Sequence, residues 1–461
     1  MKTKHNPIMV TWQTPESIRK FNQTHNAPYG QSAAEGEENF ILSKRCQLGC
    51  DSRKTGLNDN IMVIGGPGTG KNYNVILPNL LQGHDSYVVL DVCGELLATT
   101  GKFFESRGYQ IRLLNMMDMA HSHGYNPFRY LRDEKDIDTL IECLFVNLGK
   151  TPKDQDSFFT QEEKNLLRAI MLYFIRYQLP EMQTFSNLCR VLQQAIEQEQ
   201  ALDYIFNEVR KQYKDDPCVA SYDQFKQSSA HTSKTIILSL FRMLMPMSTE
   251  PLKTMMQFDD MDLETVGDQK SIIYLVVPAG PNPYSFLVSM LYSQIFDTLK
   301  YHAVQECEGE MLKHHVTFLM DEFVNSCYIP NFEKTVSTIN RYGLSCMIFL
   351  QAIGQFSNLY PQSWESAVQN FDTLLYLGGN EVHTMEYLLS QLSNIGICEN
   401  DGSFSAPEPV TLNHLKMGKR DHCIILIRGE QPFYDEKYNT SSHPNIQFKG
   451  NLHDNASLYH G

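Results

Sequence analysis

The sequence contains no run of 18 apolar residues, so it offers no ordinary transmembrane helix. Its first residues, Met1-Lys-Thr-Lys-His-Asn-Pro7, have none of the apolar stretch of a secretory signal. Basic charge is also scarce. There are 39 Lys and Arg against 53 Asp and Glu, which gives a formal net charge of −14 and a pI near 5.5. That balance excludes a protein that coats nucleic acid over a whole face; any such contact must be local, on a loop or inside a channel. The 11 cysteines are scattered and no export signal accompanies them, so they read as reduced cytosolic thiols rather than a disulfide frame. Only Cys46 and Cys50 are close, and a zinc site would need two further ligands at matching spacing that the neighbouring sequence does not hold. There is no internal repeat.

What is present is an ordinary globular composition, 42% hydrophobic and 20% charged over 461 residues, which allows two or three domains. Residues 1–58 read as a polar, irregular entry segment, with a loop at Gly30–Gly36 and a short apolar piece at Phe40-Ile-Leu42. Apolar, β-branched runs then appear at Ile61–Ile64, Ser86–Asp91 and Tyr109–Leu114, separated by helix-like stretches. Buried strands alternating with helices predict a mainly parallel sheet covered on both faces, over residues 59–150. Residues 151–258 change period: Leu167, Ile170, Met171 and Phe174, then Leu188, Val191, Leu192 and Ala195, follow helical spacing with no strand run. They predict an inserted all-helical domain. The strand pattern resumes over 259–445, at Ser271–Val277, Val316–Met320, Cys346–Leu350, Thr373–Leu377 and Cys423–Ile427. From Gly429 the sequence is polar and loop-like, and residues 446–461 form a tail.

The strongest local signal is Gly65-Gly66-Pro67-Gly68-Thr69-Gly70-Lys71-Asn72, between an apolar strand and a helix-like segment. Glycines let successive backbone N–H groups curl around phosphates, the helix terminus adds positive potential, and Lys71 supplies a mobile charge for the β- and γ-phosphates. The last position, ordinarily Ser or Thr, is Asn72, whose amide oxygen can also meet a hard cation such as Mg²⁺. A plain glycine-rich turn is the alternative. The second signal is Val316-Thr-Phe-Leu-Met-Asp321-Glu322, in which a buried strand delivers two acids to a sheet edge. After a phosphate loop, the first acid would hold Mg²⁺ and the second would polarise an attacking water; alone, the pair is equally an ordinary strand ending. Asp91 and Glu95 follow another strand and could face the γ-phosphate, or simply close a turn. Gln351 could sense the γ-phosphate or cap its strand. Arg341 could reach a neighbouring subunit's nucleotide as an arginine finger, or lie on the surface. Arg210-Lys211-Gln-Tyr-Lys214 runs straight into Asp215-Asp216 and reads as a solvated helix end rather than a DNA contact.

Together these motifs resemble the TraG/TraD-type coupling proteins of conjugative type IV secretion, P-loop motors of the FtsK/HerA-like class. The matching pieces run in order over roughly residues 60–445. They are Gly65–Lys71 with Pro78-Asn79-Leu80, Asp91-Val-Cys-Gly-Glu95, Tyr125-Asn-Pro127, Phe158-Phe-Thr-Gln-Glu162 and Asp321-Glu-Phe-Val-Asn325 with Ile329-Pro-Asn-Phe-Glu333. Arg341, Phe349-Leu-Gln351, Asn370-Phe-Asp-Thr373, Leu377-Gly378, Arg428-Gly-Glu430 and His443-Pro444 complete them. The resemblance implies a RecA-like P-loop NTPase domain with an inserted all-α domain, assembled as a homo-hexamer at the cytoplasmic face of the membrane. It implies ATP and Mg²⁺ as cofactors, ATP-driven movement of single-stranded, relaxase-bound DNA, and the relaxase and secretion components as partners. Lys71 and the Gly65–Gly70 backbone would hold phosphates, Asp321 and Asn72 the metal, and Asp91 and Glu95 would face the nucleotide. Glu322 would activate water, Gln351 would sense the γ-phosphate, and Arg341 would act in trans. Three departures stand out: Asn72 for Ser or Thr, Cys93 for the lysine of an Asp-Pro-Lys-Gly-Glu motif, and no N-terminal membrane helices. The first two leave open a nucleotide-binding substrate receptor or ring scaffold with little hydrolysis. The third fits a truncated chain, a soluble variant or recruitment by a membrane partner. A chromosome- or virus-packaging pump on the same engine is a third reading, opposed by the helical insertion.

Overall fold

In the computed structural model, residues 12–25, 39–149, 157–198, 200–227, 230–392, 396–397 and 408–450 are described. Thirteen strands occur among them: β1 (Asn39–Ile41), β2 (Gln47–Gly49), β3 (Ile61–Gly65), β4 (Ser86–Val92), β5 (Gln110–Asn115), β6 (Ser271–Val277), β7 (Val316–Met320), β8 (Leu344–Leu350), β9 (Thr373–Gly378), β10 (Gly396–Ile397), β11 (Glu408–Pro409), β12 (His422–Ile427) and β13 (Phe433–Glu436). Nine of these form the central sheet, in the order β13-β12-β9-β3-β8-β7-β4-β6-β5. From β9 to β5 every pairing is parallel, and β12 and β13 extend the sheet antiparallel.

The physical reason lies in the strand sequences. In β3, β4, β6, β7 and β8 nearly every residue is apolar and buried, as a strand covered on both faces requires. Alternation divides each strand between two cores. Met62, Ile64, Leu90, Leu275, Phe318 and Ile348 enter one, while Ile61, Val63, Val89, Tyr274, Leu319 and Phe349 enter the other. Each such side chain contributes roughly 1.5–3 kcal/mol by leaving water.

The first core is continuous with the helices Phe158–Tyr177, Phe185–Glu197, Ala201–Gln212, Pro217–Lys226, Ala230–Leu244 and Glu250–Met255. No strand lies among the described residues between Asn115 and Ser271. Arg210 and Lys211 close one of these helices and pair with Asp223 and Glu208. The second core is capped by the helix Glu95–Ser106 and by N-terminal residues.

Two expectations are corrected. The stretch read as irregular, residues 1–58, contains the helix Pro15–His25, the β1–β2 hairpin and a turn of helix at Ser52–Thr55. Ile18, Phe21, Phe40 and Leu48 bury there against the sheet, so tertiary packing outweighs a polar local composition. The segment from Gly429, read as loop-like, supplies β13, which pairs Phe433 with Ile425 at the sheet edge. Its pattern of two buried residues in four is too short to stand out in sequence. The loop expected at Gly30–Gly36 and residues 451–461 lie outside the described residues. Among the described residues no helix is long and apolar enough to cross a membrane.

Candidate functional site

The site lies along the carboxyl edge of the parallel strands. Ile64 of β3 is in register with Leu350 of β8, which sets Gly65 level with Gln351. Met320 of β7 pairs with Ile348 of β8, so Asp321 and Glu322 emerge beside Gln351. The glycine strand and the acidic strand are therefore separated by one strand only, and that strand carries the glutamine.

The loop Gly65–Lys71 is fixed from within. Thr69 Oγ1 donates to the Gly66 carbonyl at 2.8 Å and Gly66 N donates to Gly378 O at 2.9 Å. Gly70 sits at φ 91°, a left-handed conformation that favours glycine, and a Cβ there would also displace the Asn74 side chain. The following helix opens with a π-helical turn at Asn72–Ile76 before the α-helical turns Leu77–Gln82. Pro78 explains it: a proline ring crowds the carbonyl four residues back, and a widened turn gives it room.

Lys71 Nζ donates to the Gly65 carbonyl at 2.9 Å, curled back over the loop. Burial lowers its pKa, against the opposing pull of Asp321 and Glu322. Asp321 is buried, and desolvation, only partly offset by Lys71, pushes its carboxyl up to about 6. Its Oδ1 accepts from Glu322 N at 3.0 Å, and its carboxylate also takes a hydrogen bond from the Asn72 side chain. With its amide nitrogen donating to Asp321, Asn72 retains an oxygen for a cation. Glu322 holds a left-handed backbone at φ 46°, a conformation costing a non-glycine residue about 1 kcal/mol, which is commonest where function fixes the geometry. Its Oε1 accepts from Gln351 Nε2 at 3.1 Å. Lys71, Asn72, Asp321, Glu322 and Gln351 are thus brought together by three strands.

The other expected residues are placed differently. Asp91 is fully buried and spends both carboxylate oxygens on the helix Glu95–Ser106, accepting from Leu96 N at 3.0 Å and Leu97 N at 2.8 Å. Burial outweighs those two bonds, and with Asp321 and Glu95 adding, its pKa rises to about 7. It therefore holds the turn rather than pointing into the loop, while Glu95 stands exposed at the helix start. Cys93, the second departure, is exposed with φ 63° in the same turn. Arg341 precedes β8, whereas Gln351 follows it. Seven residues at about 3.3 Å each put the two roughly 20 Å apart, at opposite edges of the sheet. Arg341 is exposed, its guanidinium 4.6 Å from the Tyr342 ring centre and 3.5 Å from Glu310. It cannot act on its own chain's loop.

Sequence reasoning missed the C-terminal clamp. Lys437 Nζ, just after β13, donates to the Thr69 carbonyl at 2.9 Å. Tyr73 OH donates to Asn439 Oδ1 at 2.9 Å and lies 2.6 Å from Ser441 Oγ, while Thr440 Oγ1 donates to the Tyr73 carbonyl. These contacts span more than 360 positions of chain, and no local pattern announces them.

The residues fit a metal–triphosphate. A glycine cradle ends on a lysine, and the buried Asp321, its pKa raised by desolvation, lies beside Lys71 and Asn72 where a cation would relieve it. Fold and site together define a RecA-like α/β P-loop NTPase with an additional strand between its phosphate-loop and acidic strands. The family described as Type IV secretory system Conjugative DNA transfer matches residues 26–405, and the chain belongs to it. The chain is 23% identical over 403 residues to Protein VirD4 of Agrobacterium fabrum, which covers 80% of this chain and 57% of that protein. It thus spans little more than half the length of that curated relative. Among solved structures, the unbound bacterial conjugative coupling protein TrwB superposes with a TM-score of 0.65 at 14% identity, over 93% of this chain and 94% of that one. Plasmid coupling protein TrwB in complex with ADP and Mg²⁺ gives a TM-score of 0.59 at 15% identity, over 82% and 85%.

Proposed function

We propose that this chain is the ATP-driven motor of a conjugative type IV secretion system, recruiting relaxase-bound single-stranded DNA and driving it toward the transfer channel. The observation that carries the reading is the convergence of Lys71, Asn72, Asp321, Glu322 and Gln351 at one sheet edge. Lys71 leaves the Gly65 carbonyl to meet the β- and γ-phosphates. Asp321 and Asn72 hold Mg²⁺, which when bound supplies positive charge against the phosphate oxygens. Glu322 takes a proton from the attacking water, and Gln351, already on its carboxylate, registers whether the γ-phosphate is present. Glu95 borders the site from the neighbouring helix. The site of this family member is thereby read like that of TrwB, which binds ADP and Mg²⁺.

Arg341 supports an assembly, as a homo-hexameric ring at the cytoplasmic face of the membrane. Its exposed guanidinium is out of reach of its own loop and free to approach a neighbour's, so turnover requires a ring. DNA passes through the centre and needs basic groups only along that pore, which reconciles the reading with a net charge of −14.

The test is ATP hydrolysis by the purified chain against protein concentration, with and without single-stranded DNA. Rate per subunit should rise with concentration and with DNA, and Arg341→Ala should remove about 10³-fold. A flat rate indifferent to both DNA and Arg341 overturns the reading. Asn72 favours one alternative, a nucleotide-binding receptor with little hydrolysis. Asn72→Thr separates the two: a strong gain in turnover marks the wild type as a crippled motor, whereas two equally active proteins leave the motor reading standing.

A further inference from the structure

The residues that meet the γ-phosphate fix the direction of the rest of the nucleotide. Asp321, Glu322 and Gln351 follow β7 and β8, on one side of β3, so the γ end of a triphosphate lies on that side. In a phosphate loop the lysine takes the β- and γ-phosphates, while the backbone N–H groups where the helix begins take the α- and β-phosphates. The sugar and base therefore leave the loop past Tyr73, on the other side of β3, where the sheet continues as β9, β12 and β13.

Three elements meet there. Gly378 ends β9 and Gly379 follows it, and Gly66 N donates to Gly378 O at 2.9 Å, so two residues without side chains border the loop. The chain after β13 runs along the loop's flank, with Lys437 on the Thr69 carbonyl and Asn439, Thr440 and Ser441 all reaching Tyr73. The third element is Tyr73 itself. Its hydroxyl donates to Asn439 Oδ1 at 2.9 Å and lies 2.6 Å from Ser441 Oγ. Its carbonyl needs a donor from outside the helix, because Leu77 N–H goes to Asn72 O in the π-helical turn and Pro78 has no N–H to give. The buried Thr440 supplies that donor through Oγ1. Tyr73 is thus gripped at both ends, yet it stays 41% exposed. A ring fixed by its hydroxyl and left open to solvent is a pre-organised apolar surface beside the loop.

We infer that Tyr73 and residues 437–441 form the nucleoside subsite, with the Tyr73 ring as the stacking surface for a purine base and Thr440 as the positioning residue that holds Tyr73 in place. The inference rests on the proposed function and deepens it, by naming the part of the chain that meets the half of the nucleotide beyond its phosphates. Stacking uses the face of a base and not its edge, so adenine and guanine are accepted alike. The phosphates are held by residues contiguous in sequence, whereas the nucleoside is held by chain that returns through β13.

The experiment measures binding of ATP, GTP and inorganic triphosphate, each with Mg²⁺, to the full chain. ATP and GTP should bind with similar affinity. Tyr73→Ala should weaken both nucleotides about 5–150-fold, the range of one aromatic–base stack, and leave triphosphate binding unchanged. Tyr73→Phe keeps the ring and loses only the hydroxyl's hold, so it should cost less. Thr440→Val should show the same split between nucleotide and triphosphate, to a smaller degree. Photolabelling of the wild-type chain with 8-azido-ATP depends on no variant's folding and should mark Tyr73 or residues 437–441. Equal losses for nucleotide and triphosphate in Tyr73→Ala, a strong preference for one base, or a label confined to other segments overturns the subsite. A wild-type chain that binds none of the three overturns the proposed function instead.

Discussion

The two edges of the central sheet use buried carboxylates in opposite ways. At the carboxyl edge, desolvation outweighs what Lys71, Glu322 N and Asn72 give Asp321, and raises its pKa to about 6. At the amino edge, burial also pushes Asp85 up, but His84 and His315 beside it outweigh that and hold it below the usual carboxylate range. Thr317, one residue after the first of β7, satisfies Asp85; Glu322, two residues past the end of the same strand, stands in a strained backbone with only Gln351 on its carboxylate. One strand thus ends in structure on one side and in unfinished electrostatics on the other. The lesson is that a phosphate–metal site is recognised by what its acids lack, since a ligand must supply it.

The sharpest way to break this contrast is Glu322→Gln. If the carboxyl edge is a reaction centre, the variant keeps its fold and nucleotide affinity but loses about 10²–10⁴-fold in turnover, the range for removing a general base. Nucleotide binding followed by fluorescence, beside steady-state hydrolysis, separates the two. Full activity would return Glu322 to a strand-ending turn residue.

Thr317→Val makes the reciprocal case. It deletes the hydroxyl on Asp85 Oδ2 at nearly constant volume, leaving a buried carboxylate short of one donor. The expected cost is about 1–3 kcal/mol of stability, read by denaturant unfolding, with unchanged turnover per folded chain. A loss of turnover at unchanged stability would show the two edges to be coupled.

Asp59 is the exception at the amino edge, and sharpens the rule. It is 2% exposed, its Oδ1 has no hydrogen-bond partner among the described residues, and Asn340 Nδ2 reaches Oδ2 only at 3.4 Å. Burial, with Asp85 adding to it, pushes its pKa up to about 8. The folded chain therefore keeps a proton that the unfolded chain has released, so stability falls as pH rises from the ordinary carboxylate range toward about 8. The slope from this group is at most about 1.4 kcal/mol per pH unit. Asp59→Asn removes it, so the variant's melting temperature should overtake the wild type's progressively between pH 5 and 8. Parallel profiles for the two proteins would mean that Asp59 is solvated.

Much of this was legible before any coordinates, for a physical reason. Strands such as Ile61–Gly65 and Ser271–Val277 are buried on both faces, so every residue reports the same environment. The phosphate loop needs its glycines locally, and Asp321 and Glu322 must follow an apolar strand. What stayed hidden depends on chain returning from far away. Phe40 and Leu48 of the first hairpin look like solvated loop until the second core covers them. Asp91 looked like a ligand because strand ends attract ligands, but two amides of its own helix claim its oxygens.

Lys437 gives the smallest effect and tests whether the carboxyl edge ends at the motif residues. Its ammonium reaches the phosphate loop only because β13 pairs antiparallel with β12 and delivers it over Thr69. Burial lowers its pKa, so its charge is held there against desolvation by nothing stronger than the Thr69 carbonyl and more distant groups such as Asp421. Lys437→Met keeps the stem's packing and removes the charge. A single charge-assisted bond to a half-exposed carbonyl is worth about 1 kcal/mol, so nucleotide affinity should weaken about 3–10-fold, with turnover at saturation little changed. The loop's own bonds, Thr69 to Gly66 and Lys71 to Gly65, should preserve the fold. An affinity equal to the wild type's would confine the cradle to residues 65–72; a collapse in turnover would promote Lys437 from positioning the loop to contacting the phosphates.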